Sequence, residues 1–430
     1  MNDFVHLSDP STETEPTEIV VALEHAPLVM TALENDGLHV VNAEPSEPLG
    51  LTLVTLDPDE VPTLVGLPRL PAEPGRTEGL DDVVLARLRF VFDDGHAHWT
   101  PTMGKNRTVG VVTDGGGSIS YGGGPNPTKA KAWNPGRSGQ AGKGITIGVL
   151  DTALFPHQVL AGGYIAASPE DFVVEDGPYD YAQGHATFVT GLILKDAPGA
   201  VVRVRKVLSG AGTATSWEVA NAIVELGSAG VDILNLSLVC YTEDGRPPLV
   251  LSTAIDRLPP HVLVIACAGN HGGREPGPDE VNRRPAWPAA LDDVVAVGSV
   301  TKDGKGSKLG LSPFTPPRAA WIDVVTVGDP VVSTYFTGAV RVPPPEVEPA
   351  GTESGPAADG AQQAPTEPPP FEGWAAWSGT SFAAAKLTGR VAAVAEQKGI
   401  PVRAAYRRLA AKANATGRRP EDDLPPYIPT

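Results

Sequence analysis

The sequence has little cysteine: Cys240 and Cys267 are the two in 430 residues, too few for a disulfide framework. Both fall in strand-like runs and read as small buried residues with free thiols. No Cys/His cluster has metal-ligand spacing, so no zinc site and no other metal site is expected. No run of 18 residues is apolar, so no membrane-spanning helix is expected. The start, MNDFVHLSDPSTETEPTE, has neither a basic opening nor an apolar stretch, and no secretory signal is expected. Free thiols without a signal make the cytoplasm the expected location. Basic residues are scarce where acidic ones crowd: the first fifty residues carry ten Asp/Glu and no Lys or Arg. The net charge of −18 argues against nucleic acid and against an anionic membrane as partners. Also absent are a G-x-S-x-G, a P-loop and a G-x-G-x-x-G following a strand, which sets aside α/β-hydrolases and nucleotide-binding proteins.

What is present is a sizeable core, 41% hydrophobic, with 48 Gly and 44 Pro concentrated in stretches. The first hundred residues hold −15 of the net charge, which marks a compositional boundary. Residues 1–17 read as a disordered acidic lead. Residues 18–100 read as a small α+β domain, with strands over Glu18–Leu23, Leu38–Val41 and Leu51–Leu56 and a helix over Pro27–Asn35. Asp81–Phe92 fits a helix or an extended segment. Residues 101–140 are Gly-rich and read as a linker. From 141 to 415 strands and helices alternate. ITIGVLD (145–151), VVRVRKVL (201–208), VDILNLSLV (231–239), HVLVIACAG (261–269) and DVVAVGSV (293–300) are the strands. Thr215 and Glu218 form a capping box ahead of a helix over Ser216–Leu226. The expectation is an α/β fold with a parallel β-sheet sandwiched by helices. Residues 343–372, with nine prolines, read as an exposed insertion. Residues 416–430 read as a tail.

Three segments place chemistry at a strand end or a helix start. Asp151 ends the first strand of the α/β region, where ligands bind in open α/β sheets; taken alone it also fits an ordinary turn aspartate. His185 opens the apolar helical run of GHATFVTGLIL and faces a cleft or plain solvent. Ser381 begins a helix of small residues in SGTSFAAAKLTG, where the helix N-terminus favours negative charge; alone it fits a capping serine. Together, in the order Asp, His, Ser, they are specific.

At these residues the chain resembles the subtilisin-like serine proteases, the subtilases. VLDTA is similar to the family's aspartate motif, GHATFVTG to its HGTHVAG and SGTSFAAA to its GTSMASP. ACAGN is similar to the strand that ends in the oxyanion-hole asparagine, here Asn270. Ala153, Ala186, Phe188 and Ala385 depart from the family pattern, and none of them removes a reacting group.

The resemblance implies a serine endopeptidase acting on peptide or protein substrates. Ser381 is the expected nucleophile, His185 the general base and Asp151 its orienting partner. Asn270 and the Ser381 N–H are the expected oxyanion donors. Substrate is expected to add as a strand beside Ser237, Leu238 and Val239, with Ala268 and Gly269 on the opposing segment. Val239 and Cys240 stand where relatives have two glycines and are expected to narrow the first specificity pocket, unless Val239 turns into the core. His157 receives a structural role. No cofactor is required, and structural calcium is a property of relatives. Residues 18–100 are expected to serve as an intramolecular inhibitor or a partner-binding domain. The competing expectation is a catalytically weak or inactive binding module on the same fold.

Overall fold

The computed structural model describes residues 17–71, 79–111, 126–132, 139–173, 176–242, 244–273, 284–302, 309–342, 370–416 and 425–430. Residues 1–16 of the acidic lead, the GGGSISYGGG run and residues 343–369 of the insertion lie outside the described residues; Thr17, the last residue of that lead, opens a strand. The chain divides into two compact units, one of residues up to Arg107 with Pro248–Thr253, the other of Thr108–Pro247 and Ala254–Thr430.

The first unit is built from β1 (Thr17–Ala22), α1 (Ala26–Asn35), β2 (Val40–Ser46), β3 (Leu51–Leu56), α2 (Leu80–Gly95) and β4 (Met103–Lys105). The strands form one sheet in the order β2-β3-β1-β4. Alternation in β1 sends Ile19 and Val21 into a core shared with Val29, Leu33, Val84, Leu88 and Phe92 of the helices. The undecided Asp81–Phe92 segment is helical: Val84, Leu85, Leu88 and Phe92 fall on one buried face. The second strand runs to Ser46, beyond its expected end at Val41. It is an edge strand, where Pro45 removes no needed ladder donor. Arg87 grips Asp36 with two hydrogen bonds, 2.8 and 2.7 Å, tying α2 to the end of α1.

In the second unit the chain runs through β5 (Thr108–Gly110), β6 (Thr128–Lys129), β7 (Thr146–Asp151), β8 (Tyr164–Ala166), β9 (Tyr179–Asp180), α3 (His185–Asp196), β10 (Val201–Lys206), β11 (Thr213–Thr215) and α4 (Ser216–Ser228). It continues through β12 (Ile233–Leu236), α5 (Leu249–Asp256, of which the residues up to Thr253 count with the first unit), β13 (Leu263–Cys267), β14 (Val294–Lys302), β15 (Leu309–Leu311), β16 (Val324–Asp329), β17 (Val331–Gly338), β18 (Val340–Arg341), β19 (Phe371–Trp377), α6 (Thr380–Lys398) and α7 (Val402–Thr416). The main sheet has the order β15-β14-β13-β12-β7-β10-β8, with β16 also on β14. Every pair but β14–β15 is parallel. Buried on both faces, β7, β12 and β13 read as continuous apolar runs. The capping box holds in the structure, with Glu218 N–H donating to Thr215 Oγ1 at 3.2 Å and Thr215 N–H to Glu218 Oε2 at 2.7 Å.

Helices α3 and α6 pack closely because α6 carries Gly389 at the crossing. A Cβ there would lie 2.7 Å from Ile193 O and 3.0 Å from Asp196 Cβ, so a side chain would force the helices apart.

Two segments differ from the sequence expectation. Within the span read as a linker, Met103–Lys105 and Thr108–Gly110 are strands; three-residue strands at sheet edges carry no periodicity to detect. The span read as a tail ends in a paired segment. Ile428 N–H donates to Val325 O at 3.0 Å and Val325 N–H to Pro426 O at 3.1 Å, with Tyr427 and Ile428 buried. Those two apolar residues gain burial on β16 that a free tail would forgo.

Candidate active site

The main sheet begins in its middle. From β7 the chain first passes to the edge strand β8, returns between the two as β10, then builds the other side through β12, β13 and β14. Beyond the carboxyl ends of the neighbours β7 and β10, connections leave in opposite directions and open a crevice. Asp151, the last residue of β7, stands there with 0% exposure. A buried carboxylate needs donors. It receives the Thr152 N–H on Oδ1 at 2.7 Å, and His185 Nδ1 lies 2.9 and 2.8 Å from its two oxygens. Since carboxylate oxygens accept, the Nδ1 of His185 donates, which leaves Nε2 of a neutral ring as the acceptor.

His185 is the first residue of α3. Thr152 fixes this helix start: its hydroxyl donates to Gln183 O at 3.1 Å and accepts from Ala186 N–H at 3.2 Å. The imidazole sits among aromatic rings, with Trp377 edge-on at 5.7 Å and Phe382 tilted at 5.5 Å. Phe188, which replaces the second histidine of the family motif, packs on Phe382 at 4.4 Å and on Trp377 at 5.7 Å. The substitution thus completes an apolar wall behind the histidine.

Ser381 lies in the first turn of α6, which runs for 19 residues to a left-handed Gly399 cap. First-turn N–H groups lack intrahelical acceptors, so this end holds partial positive charge. The Ser381 hydroxyl donates to Ser237 O at 3.4 Å, and Ser237 Oγ returns a hydrogen bond to Ser381 O at 3.2 Å. Among the described residues no hydrogen bond joins Ser381 to His185. The two are brought together through Phe382, the next residue, whose ring contacts the imidazole.

Asn270, 2% exposed, is oriented by the same helix start. Thr380 N–H and Thr380 Oγ1 both donate to its Oδ1, at 3.0 and 2.9 Å. The acceptor end of the amide is thereby fixed toward α6 and the Nδ2 donor end is turned away from Thr380. Beneath the serine, burial pushes the Cys267 thiol up to about 11, against the opposing hydrogen bonds of the Ser381 and Thr380 side chains. Cys267 is therefore a neutral, inert thiol. Its Sγ donates to Leu238 O at 3.8 Å, linking the two segments expected to flank substrate.

Ser237, Leu238 and Val239 follow β12 and are buried. A third segment lies beside them. Gly110 N–H donates to Val239 O at 3.0 Å, Val239 N–H to Gly110 O at 2.9 Å, and Val111 N–H to Gly212 O at 2.8 Å. Thus β5 is antiparallel to β11 on one side and bridged to Val239 on the other. Val239 itself is 1% exposed and joins the apolar cluster that contains Cys267, Ala268 and Ala286. Gly269, on the opposing segment, adopts φ +82°. His157 stands apart from these groups, edge-on to Trp374 at 5.3 Å. Among the described residues no group of three or more His, Cys, Asp or Glu side chains could hold a metal ion, and no helix is long and apolar enough to cross a membrane.

Sequence reasoning passed over Thr152, Thr380, Trp377 and Phe382. Thr152, Thr380 and Phe382 adjoin an expected site residue and Trp377 immediately precedes the serine motif, but hydroxyl and ring roles appear only once partners are known.

Residues 142–418 match the subtilase family. The chain is 30% identical over 212 residues to the major intracellular serine protease of Bacillus subtilis (strain 168), covering 46% of this chain and 61% of that protein. It is 27% identical over 302 residues to a thermophilic serine proteinase of Bacillus sp. (strain AK1), covering 66% of this chain and 60% of the relative. The chain therefore spans about three fifths of the length of these relatives. Fervidolysin from Fervidobacterium pennivorans, a keratinolytic enzyme related to subtilisin, superposes with a TM-score of 0.58 at 16% identity, over 98% of this chain and 61% of that one; at that identity the likeness establishes the fold. With the match spanning well over half of the residues, and a parallel sheet sandwiched by helices, the chain belongs to the subtilase family.

Proposed function

We propose that this chain is a serine endopeptidase with Ser381 as nucleophile, His185 as general base and Asp151 as the carboxylate that holds the imidazole. The observation that carries the reading is the buried Asp151–His185 pair, 2.8 Å at its closest, set against the helix start that bears Ser381. Rotation of the Ser381 hydroxyl from Ser237 O toward His185 Nε2 readies the nucleophile; such bonds often tighten only when substrate is bound. Ser381 Oγ attacks the peptide carbonyl, and its proton passes to His185 Nε2 and on to the leaving amine. Asp151 stabilises the imidazolium. The carbonyl oxygen becomes an oxyanion, which Asn270 Nδ2 and the Ser381 N–H stabilise. Water then hydrolyses the acyl-enzyme by the same route in reverse.

Peptide substrate adds as a strand beside Ser237–Val239 and β11, with Ala268 and Gly269 opposite. The seating of β5 supports this, because Thr108–Val111 already makes backbone bonds at that edge. In this reading the chain's own segment occupies the substrate position, and the N-terminal unit that precedes it serves as an intramolecular inhibitor. Val239 and Cys267, buried in one apolar cluster with Ala268, are taken to close the bottom of the pocket and so to favour a small residue on the acyl side of the scissile bond. The free, buried thiols Cys240 and Cys267 fit a cytoplasmic site of action. Single alanine variants of Asp151, His185 and Ser381 should each lose several orders of magnitude in kcat/KM, and double variants little more. Near-normal hydrolysis by Ser381→Ala would refute the assignment.

A further inference from the structure

The loop that carries Asn270 is held by two side chains that the mechanism above does not use. His271, the next residue, is 1% exposed, and its Nε2 lies 3.0 Å from Arg284 O. A carbonyl only accepts, so Nε2 bears the proton and Nδ1 of the neutral ring is an acceptor. The Tyr241 hydroxyl donates to that Nδ1 at 2.9 Å. The two rings meet edge-on, 4.8 Å apart at 73°.

Both groups converge on Gly269. A Cβ at that position would lie 2.5 Å from Tyr241 Oη and 3.0 Å from His271 Nδ1, and the backbone there has φ +82°. Glycine is required for the dihedral and for the space. The residue before Asn270 is therefore pinned under the tyrosine hydroxyl, and the residue after it is tied at both ring nitrogens. Tyr241 leaves the segment that contains Ser237–Val239 one residue after Cys240, so the hydrogen bond also joins the two segments that flank Ser381. Asn270 Oδ1 is anchored to Thr380, but a side-chain anchor alone does not fix the Cα from which the amide springs.

We propose that Tyr241 and His271 are positioning residues for the oxyanion donor Asn270. The inference rests on the reading of Asn270 given above and assigns neither residue a contact with substrate. The pair sets the Asn270 backbone from both sides, so that Nδ2 meets the oxyanion as charge develops. A donor displaced by a fraction of an ångström stabilises the transition state less and the bound ground state little differently.

The test is a double-mutant cycle on the full-length protein, with hydrolysis of a tripeptide anilide ending in alanine as readout. Tyr241→Phe removes the hydroxyl and keeps the ring. It should lower kcat about tenfold with KM within about twofold of the parent. In an Asn270→Asp background, where the amide donor is already gone, the same change should cost less than about twofold. His271→Ala should repeat this non-additivity with a larger loss in the parent. Equal losses in both backgrounds would show an effect independent of Asn270 and overturn the proposal alone. So would a change confined to KM or to side-chain preference, which would make Tyr241 a pocket wall. A parental kcat in Asn270→Asp itself would overturn the reading of Asn270, and the proposal with it.

Discussion

Replacing Asn270 separates two jobs that one side chain performs. Its Oδ1 accepts from Thr380 N–H at 3.0 Å and from Thr380 Oγ1 at 2.9 Å, in a site 2% exposed to solvent. Asn270→Ala removes that acceptor and strands two donors, at about 1–3 kcal/mol for each buried donor left unmet. The expected loss of unfolding free energy is thus on the order of 2–6 kcal/mol. It also removes the Nδ2 donor, for which about 10²–10³ in kcat is the usual cost of losing such a group. Asn270→Asp keeps the acceptor: a carboxylate takes both Thr380 bonds, and its charge is favoured at the start of α6. Stability should therefore be largely retained, while kcat falls as far as in the alanine variant, because no N–H remains. Urea unfolding followed by fluorescence and steady-state hydrolysis of a peptide anilide at pH 8 give the two quantities on the same preparations. A parental kcat in Asn270→Asp, or an effect in either variant carried mainly by KM, would refute the oxyanion role.

Three further outcomes follow from the geometry. Gly110→Pro deletes the N–H that donates to Val239 O and should raise peptide hydrolysis by the full-length chain if β5 occupies the substrate edge; unchanged or lower activity at normal stability would count against that occupancy. Burial lowers the His157 pKa from 6.5, opposed in part by a hydrogen bond with the Gly373 backbone. The unfolded chain then takes up the proton first, so stability is full above about pH 6.5 and declines as pH falls through the window below it; His157→Gln should flatten that slope, and an unchanged slope would assign it to other groups. A peptide library should show cleavage mainly after Ala, Gly or Ser, because a larger side chain meets Val239 and Cys267 at an overpacking cost of about 1–3 kcal/mol; dominant cleavage after Phe, Leu or Tyr would contradict a narrow pocket.

The alternating segments from Ile145 to Val300 were legible because buried parallel strands are unbroken apolar runs and α4 announces its start with a capping box. Asp151 and His185 lie at a strand end and a helix start, where residue type and position agree, so their meeting could be expected from sequence. Short edge strands such as Thr108–Gly110 could not be. Three residues carry no period, and their stability comes from backbone bonds to Val239, Gly212 and Thr213, far along the chain. The end of the chain failed for a related reason. Tyr427 and Ile428 look like isolated apolar residues in a polar stretch until β16 supplies the partner. The tie between Tyr241 and His271 was equally hidden, since a hydrogen bond across 30 residues leaves no local pattern.

The most direct test of the account is the mass of the protein after exposure to a fluorophosphonate. A nucleophile activated by His185 displaces fluoride and keeps the phosphonyl group, whereas an ordinary serine hydroxyl does not. The account predicts one phosphonyl adduct per chain, located by peptide mapping to Ser381. It predicts no adduct in Ser381→Ala and strongly slowed labelling in His185→Ala. An adduct on another residue, or equal labelling of Ser381→Ala, would contradict it.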